Sequence, residues 1–318
     1  MTRMKRNLVI AVIVIIAIAL SAIFAVGPLS TKPVYSVSIV DDLGRVVDLR
    51  SRPMRIVSMA PSVTEILFAL GVGDRVVGVT DACDYPPESL NITKIREPFG
   101  DFQLEKIVDL KPDLVVMDRY LDLYPPGRWL SKLEDVGIDV VVLYAQNFDD
   151  VFRDLMIVGK TIGKEQEAKV LVDSLKSRLA EVSSKTGILT QDQMPRVFVT
   201  GWYDGESDPW TSGYGTFADD IIKMAGGRNV AQKTGGFSQI SLEELIGSDP
   251  EIIIVLEDYR WPTPTYQALL NEERLGATTA VKEGKIYQVD ANLLSRPGPR
   301  LVDGLEEFTR ILHPELFD

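Results

Sequence analysis

The sequence predicts an α/β protein of two similar lobes, each with a central, mainly parallel sheet of the Rossmann type, joined by a long α-helix. The first observation is a repeat: residues 104–117 read LEKIVDLKPDLVVM, and residues 242–255 read LEELIGSDPEIIIV. The second is that apolar, strand-like runs alternate with amphipathic segments on both sides of a purely helical stretch. Helix–proline–strand units are common in α/β proteins, so chance is the alternative explanation of the repeat.

Each copy of the repeat has the features of a helix that stops at a proline and is followed by a buried strand. Pro112 and Pro250 stand at equivalent positions, and proline cannot continue a helix. Asp113 and Glu251 then open runs of Leu, Ile and Val, which suit a strand that is buried on both faces of a sheet. Two such lobes leave a cleft between them, and clefts hold ligands.

The N-terminal region contains one uninterrupted apolar stretch. Residues 8–26 carry no charge, Ser21 is their only polar residue, and Arg3, Lys5 and Arg6 precede them. This pattern predicts an export signal or a transmembrane anchor whose basic end stays in the cytoplasm. Because the stretch is long for a signal and no small-x-small cleavage site follows it, we favour an uncleaved anchor.

The charge balance and the cysteine content exclude some partners and some kinds of stabilisation. The formal net charge is −12, and removing residues 1–27 also removes three positive charges. This acidity argues against nucleic acid or an anionic membrane surface as a partner. Cys83 is the only cysteine, so no disulfide can form within the chain and the fold depends on its core.

The remaining elements are predicted in order along the chain. The first lobe has a hairpin at 37–49 and strands at 55–59, 76–80, 114–117 and 140–144, which alternate with helices that begin near 61, 103 and 128. The central stretch has its main helix at 164–184, and a helix restricts hinge motion more than a Gly/Ser linker does. The second lobe has strands at 196–200, 252–256 and 285–289, and helices at 217–225, 241–247, 264–272 and 299–312.

These elements divide the chain into six segments. They are a basic cytoplasmic end (1–7), a signal or membrane anchor (8–26), a tether (27–36), an N-terminal lobe (37–148), a helical linker (149–187) and a C-terminal lobe (188–318). The protein is therefore expected outside the cytoplasm, secreted or anchored to the cell membrane by the N-terminal helix.

Several segments resemble the substrate-binding proteins of ABC importers, in the class that carries cobalamin, ferric siderophores and haem. The matching segments are RIVSMAPSVTEILFALG (55–71), VVGVTDACDYPP (76–87), LEKIVDLKPDLVV (104–116), a Gly-Gly-Arg-Asn-Val turn within 221–230 and SRPGPR (295–300). The resemblance implies two α/β lobes on a long helix. It also implies capture of a metal chelate, either a corrinoid or a ferric siderophore and less readily haem, for delivery to a permease and ATPase complex. We expect a monomer apart from that importer.

Aromatic residues in predicted loops suit a large planar or apolar chelate. We predict ligand contacts from Phe99, Trp202, Trp210, Tyr214 and Phe237. The resemblance places Phe99, Trp210 and Phe237 at positions of aromatic contacts in cobalamin-binding members. The alternative is that loop aromatics cover the edges of the lobes.

Two arginines follow strands of opposite lobes, and the resemblance places both near the pocket. Arg119 and Arg296 have guanidinium groups that suit amide carbonyls or carboxylates at the rim of a chelate. A structural role is the alternative, and for Arg119 it has about equal weight. Ala82, Asp118 and Leu293 stand where some cobalamin binders carry an aromatic residue, which leaves the chelate open.

The resemblance further implies an acidic residue on each lobe that docks onto arginines of the membrane subunit. In the first lobe this is Glu65, expected near the outer end of the lobe; in the second lobe it is Asp219 or Asp220. The alternative for Glu65 is stabilisation of its helix through the helix dipole.

Residues needed for catalysis or for a bare metal ion are scarce. His313 is the only histidine and Cys83 is the only cysteine, so no Cys/His metal site can form. His313 is expected at the surface. We therefore expect no catalytic residue, no metal ligand and no cofactor, and we expect Cys83 to be a small buried residue. Two other hypotheses are a membrane-tethered hydrolase with Cys83 or Ser212 as its nucleophile, and a tethered sensor that uses the same cleft.

Overall fold

The computed structural model describes residues 35–96, 101–123, 127–260 and 262–317. The predicted anchor at 8–26 and Phe99 lie outside these ranges. Within them, none of the helices has the length and apolar character of a membrane span. Residues from Val37 to Asp318 form one compact unit.

The first lobe contains a hairpin and a parallel sheet. Strands β1 (Val37–Val40) and β2 (Val46–Leu49) pair antiparallel. Strands β3 (Ile56–Ser58), β4 (Val76–Gly78), β5 (Leu114–Asp118) and β6 (Val140–Leu143) form an all-parallel sheet in the order β4-β3-β5-β6. The helices are α1 (Pro61–Ala69), α2 (Leu104–Asp109), α3 (Tyr120–Leu123) and α4 (Trp129–Asp135). Every side chain of β6 is buried, as expected for a strand covered on both faces.

Two consecutive helices connect the lobes. Helix α5 (Phe148–Ile162) ends at Gly163, whose φ of 71° is the left-handed conformation that glycine adopts at helix C-termini. Helix α6 (Glu165–Thr186) then begins within one residue of the predicted start of the main linker helix. The Asn147 side chain accepts the N–H of Asp150 and so caps α5. The connection is helical almost throughout, which suits a rigid linker.

The second lobe contains a mixed sheet with a parallel centre. Its strands are β7 (Arg196–Trp202), β8 (Trp210–Ser212), β9 (Arg228–Asn229), β10 (Phe237–Gln239), β11 (Ile252–Glu257) and β12 (Ile286–Asp290). Strands β7, β11 and β12 are parallel, while β8 and β10 extend the sheet antiparallel beyond β7. The helices are α7 (Phe217–Met224), α8 (Leu242–Ser248), α9 (Thr265–Asn271), α10 (Thr279–Lys282), α11 (Asn292–Ser295) and α12 (Leu301–Leu312).

Strands β8 and β10 correct the sequence-based prediction that Trp210 and Phe237 lie in loops. Their register places Phe237 opposite Ser212 and Gln239 opposite Trp210. Each strand has only three residues, and both are stabilised by a partner distant in the chain. Such short strands have no alternating pattern long enough to recognise locally, because strand formation depends on the cross-strand neighbours.

The repeat is confirmed, and it extends to backbone geometry. Helix α2 and strand β5 correspond to helix α8 and strand β11, and both strands lie inside their sheets. Lys111 and Asp249, which precede the two prolines, both have left-handed backbones, with φ of 47° and 45°. Asp113 accepts the N–H groups of Met54 and Arg55 with its carboxylate, and Glu251 accepts the N–H of Arg196 in the same way. Each acidic residue therefore fixes the start of the adjacent strand.

His313 is buried, so the prediction of a surface histidine is wrong. Its Nε2 lies 3.1 Å from the Gly226 carbonyl oxygen, and its Nδ1 lies 3.1 Å from a Glu315 carboxylate oxygen. The ring fills the space between the C-terminus of α12 and the turn after α7, a contact between segments that are far apart in the chain.

Candidate ligand-binding cleft

A cavity of about 740 Å³ lies between the two sheets. Lobe one contributes Ala60, Asp118 and Ala145, at or just after the ends of β3, β5 and β6. Lobe two contributes Asp258 after β11 and Asn292 after β12. All parallel strands of a sheet end at the same edge, so the residues that follow them converge there.

Phe237 is the predicted aromatic contact that the structure places in the cavity wall. Its side chain is 58% exposed, and it stacks on Trp210 with ring centroids 5.1 Å apart. An exposed ring that is held in place by a second ring offers a flat apolar surface, and it loses little conformational entropy when a ligand binds. Phe237 therefore forms an aromatic wall on the lobe-two side and is supported by Trp210, which does not itself line the cavity.

The other predicted aromatic contacts lie elsewhere. Trp202 and Tyr214 are both exposed but do not line the cavity, and Lys223 Nζ lies 5.7 Å from the centre of the Tyr214 ring. Tyr120, which sequence reasoning missed, does line the cavity and packs edge-on against Tyr144. Its position directly after β5 was the signal that could have identified it, because residues after parallel strands face the cleft.

The two predicted arginine contacts have different surroundings. The Arg119 guanidinium lies 4.7 Å from the centre of the Tyr144 ring, and Arg119 does not line the cavity. Arg296 does line it but is only 5% exposed, and it donates to Glu65 at 3.1 Å, to Asp84 at 2.6 Å and to the Ala82 carbonyl at 3.3 Å. The role of either arginine in ligand binding stays a prediction.

Arg296 belongs to a group of ion pairs that joins the lobes, which we call the interlobe cluster. Its members are Glu65 and Asp84 of lobe one and Asp258, Arg260, Arg296 and Arg300 of lobe two.

The contacts of the cluster are short and mostly cross from lobe to lobe. Arg260 lies 2.9 Å from Asp84 and 2.8 Å from Asp258, and it donates to the Ala82 carbonyl at 2.6 Å. Arg300 contacts both carboxylate oxygens of Glu65, at 2.6 and 2.9 Å, and its guanidinium covers the Tyr85 ring. These contacts fix the lobes against each other beside the cavity.

The residues predicted to dock onto the importer are largely buried. Glu65 is 3% exposed, so its expected position at the outer end of lobe one is wrong. Asp219 is fully buried and accepts from Asn229 at 2.9 Å and from Lys223 at 2.5 Å. Asp220 is partly exposed, and burial raises its pKa above the usual value. Docking through these acids stays a prediction.

Asp118 is the acidic residue of the cavity wall with the most perturbed ionisation. Burial raises the pKa of Asp118 to about 6, and the charge of Asp42 adds to the rise. The N–H of Tyr120, which donates to Asp118 Oδ1 at 2.7 Å, opposes it. The carboxylate is therefore ionised at neutral pH and becomes protonated under mildly acidic conditions.

The residues proposed as nucleophiles lack the surroundings that a hydrolase needs. Cys83 is fully buried between the hydroxyls of Thr64 and Thr80, each 3.1 Å from its Sγ, and burial raises the pKa of its thiol. Ser212 lines the cavity, but the described lining contains no histidine or lysine that could accept its proton. Within the described ranges, no group of His, Cys, Asp and Glu residues could hold a metal ion.

A family model for periplasmic binding proteins matches residues 56–293, from the start of β3 in lobe one to helix α11 in lobe two. The chain belongs to the periplasmic binding protein family. The family resemblance found in the sequence is thereby confirmed, and it places the chain among proteins that bind substrates and do not transform them.

Three similar proteins illustrate the range of the family. An uncharacterised ABC transporter substrate-binding lipoprotein of Bacillus subtilis, YvrC, is 31% identical over 285 residues, which cover 89% of this chain and 88% of that protein. A vitamin B12-binding protein of Vibrio cholerae is 26% identical over 80% of this chain and 87% of its own length. The apo structure of the periplasmic haem-binding protein RhuT of Roseiflexus superposes on this chain with a TM-score of 0.70 and is 26% identical to it. The match covers 82% of this chain and 98% of RhuT.

Proposed function

We propose that this chain is the extracytoplasmic substrate-binding protein of an ABC importer and that it captures a metal chelate in the interlobe cleft. The expected chelate is a corrinoid or a ferric siderophore, and less readily haem. The observation that carries the proposal is the cavity of about 740 Å³ between the strand ends of two sheets, with the exposed ring of Phe237 in its wall.

The size and the lining of the cavity suit such a ligand. Small-molecule sites typically measure about 300–1,000 Å³ and combine apolar walls with a few polar groups. Here Phe237, Leu256 and Leu294 supply apolar surface, while Gln146 and Thr216 supply hydrogen-bonding groups. A metal already enclosed by an organic chelator needs few protein ligands, which agrees with the scarcity of histidine and cysteine. Two of the similar proteins are named for binding vitamin B12 and haem, which supports this class.

Delivery to a permease requires an exposed surface on both lobes. Glu105 in the first turn of α2 and Glu243 in the first turn of α8 are equivalent residues of the repeat, and both are exposed. Each helix precedes a strand of its sheet and runs antiparallel to it, so its N-terminus lies towards the edge where the strands end and the cleft opens. We therefore propose this symmetric pair, in preference to the buried Glu65 and Asp219, as the acidic groups that contact the importer.

Binding titrations test the proposed function directly. The full-length protein in mild detergent is titrated with cyanocobalamin, ferrioxamine B and hemin, and binding is followed by calorimetry and by tryptophan fluorescence. We expect saturable one-to-one binding of at least one chelate, which is recovered chemically unchanged. Absence of saturable binding to all three, or conversion of a bound chelate to a product, contradicts the proposal.

A further inference from the structure

We infer that Asp118 is a specificity-determining residue of the cleft, and that it selects chelates presenting positive charge or neutral hydrogen-bond donors over chelates presenting carboxylates. This inference rests on the proposed function, because it concerns which chelate the cleft admits. It depends on the charges of the described cavity wall and on how each of them is compensated.

The positive charges beside the cavity are already paired. In the interlobe cluster, Arg260, Arg296 and Arg300 face the three carboxylates of Glu65, Asp84 and Asp258. Asp290, 3.8 Å from Arg300, adds a further negative charge at its edge. A ligand carboxylate would have to take an arginine from these partners, and breaking a buried ion pair is unfavourable.

Asp118 has no such compensation. Its Oδ1 accepts the N–H of Tyr120, the first residue of α3, and no cationic group of the described residues lies within ion-pair distance of its carboxylate. The neighbouring Arg119 is directed at the Tyr144 ring instead. The charge of Asp42 raises the pKa of Asp118, and Asp42 itself pairs with Arg153.

The rest of the described lining is neutral. Its polar members are Ser62, Tyr120, Gln146, Ser212, Thr216, Asn292 and Ser295. Asp118 is therefore the uncompensated charge of the described cavity wall, and it is negative. In a desolvated cleft it attracts an ammonium group or an amide N–H through a charge-assisted hydrogen bond, and it repels a carboxylate.

Matched pairs of chelates that differ by one charged group test the inference. Ferrioxamine B carries one ammonium group, which its N-acetyl derivative lacks. Cyanocobalamin carries peripheral amides, one of which is an acid in its monocarboxylic derivative. Hemin carries two carboxylates. The variant is Asp118→Asn, which retains an acceptor for the Tyr120 N–H, and the control is Asp173→Asn on the exposed face of α6.

For each chelate pair that shows saturable binding, we expect wild type and Asp173→Asn to bind the ammonium or amide member with about tenfold higher affinity than the other member. This difference corresponds to about one charge-assisted hydrogen bond. Asp118→Asn should reduce that preference to about twofold or less. An unchanged preference in Asp118→Asn, or tighter wild-type binding of hemin or the monocarboxylic derivative, overturns the inference and leaves the proposed function intact. Failure of wild type to bind any of the five chelates instead contradicts the proposed function itself.

Discussion

Glu65 and Arg300, which are 235 positions apart in the chain, form a two-point ion pair across the lobes, with contacts of 2.9 and 2.6 Å. Arg296 approaches the same carboxylate at 3.1 Å. Glu65 thus neutralises two arginines at the place where helix α1 of lobe one meets the start of α12 in lobe two. The pair links the geometry of the cleft to the stability of the whole chain.

Loss of the Glu65 charge should destabilise the protein. Glu65→Gln leaves two largely buried arginines without their shared carboxylate, and removing one partner of a buried pair costs about 3 kcal/mol. Urea unfolding, followed by circular dichroism, measures the change in the free energy of unfolding. As a control, Asp173→Asn removes an ion pair with Lys169 that is exposed on both sides, and it should cost less than about 0.5 kcal/mol. Equal losses in the two variants would show that the interlobe cluster does not stabilise the fold.

A second prediction concerns the pH dependence of stability through Asp154 on α5. Burial raises the pKa of Asp154 to about 9, and a hydrogen bond to the Asp42 carboxylate and the charge of Asp42 act in the same direction, while Arg153 opposes them. The folded protein therefore keeps a proton between pH 4 and 9 that the unfolded chain releases. Stability should fall as pH rises from 5 to 8, by at most about 1.4 kcal/mol per pH unit.

The variant Asp154→Asn should remove this slope between pH 6.5 and 8, because asparagine donates to Asp42 without titrating, whereas Asp118 continues to contribute below about pH 6. Urea midpoints of wild type and variant at pH 5, 6.5 and 8 provide the comparison. Asp149→Asn, at an exposed position of the same helix, should retain the wild-type slope. A wild-type slope that persists in Asp154→Asn would assign the proton uptake to another group.

A third prediction concerns the aromatic wall. Phe237→Ala removes an exposed ring from the cavity and should weaken binding of the chelate by about 1–2 kcal/mol, or about 5- to 30-fold. Trp210→Ala should act in the same direction, since it removes the ring on which Phe237 stacks. Calorimetric titration measures both effects. Ile188→Ala, exposed after α6, should leave affinity unchanged, and a similar loss there would argue against a specific role of the wall.

A fourth prediction separates binding from delivery. The double variant Glu105→Ala, Glu243→Ala should bind the chelate like wild type but associate with the importer about tenfold more weakly at low salt, because surface charges mainly steer association. Reconstituted uptake at two ionic strengths measures this effect. Glu181→Ala, an exposed acidic residue of α6, is the control. Unchanged uptake in the double variant would contradict the docking role of this pair. It would favour Asp220, which is partly exposed and was also predicted to contact the importer.

Much of the fold follows from local pattern. The duplicated helix–proline–strand unit was recognisable because Pro112 and Pro250 stop their helices and because four or more consecutive apolar residues form strands buried on both faces. The main linker helix was found within two residues at each end, since helical periodicity is a short-range property. The site was recovered only in part: Phe237 and Arg296 line the cavity, whereas Trp202, Trp210, Tyr214 and Arg119 do not.

The sequence by itself therefore determined two α/β lobes, a helical connection and the edge of the sheets at which a ligand would sit. Only the tertiary structure decided that Glu65 is buried against Arg300, that His313 fills an interior position and that Trp210 stacks on Phe237. It also decided that Asp118 faces the cavity with no cation from the described part of the chain beside it. The physical reason is distance along the chain. Hydrophobic periodicity acts over a few residues, whereas the partner that buries or neutralises a side chain comes from a segment that only folding brings near.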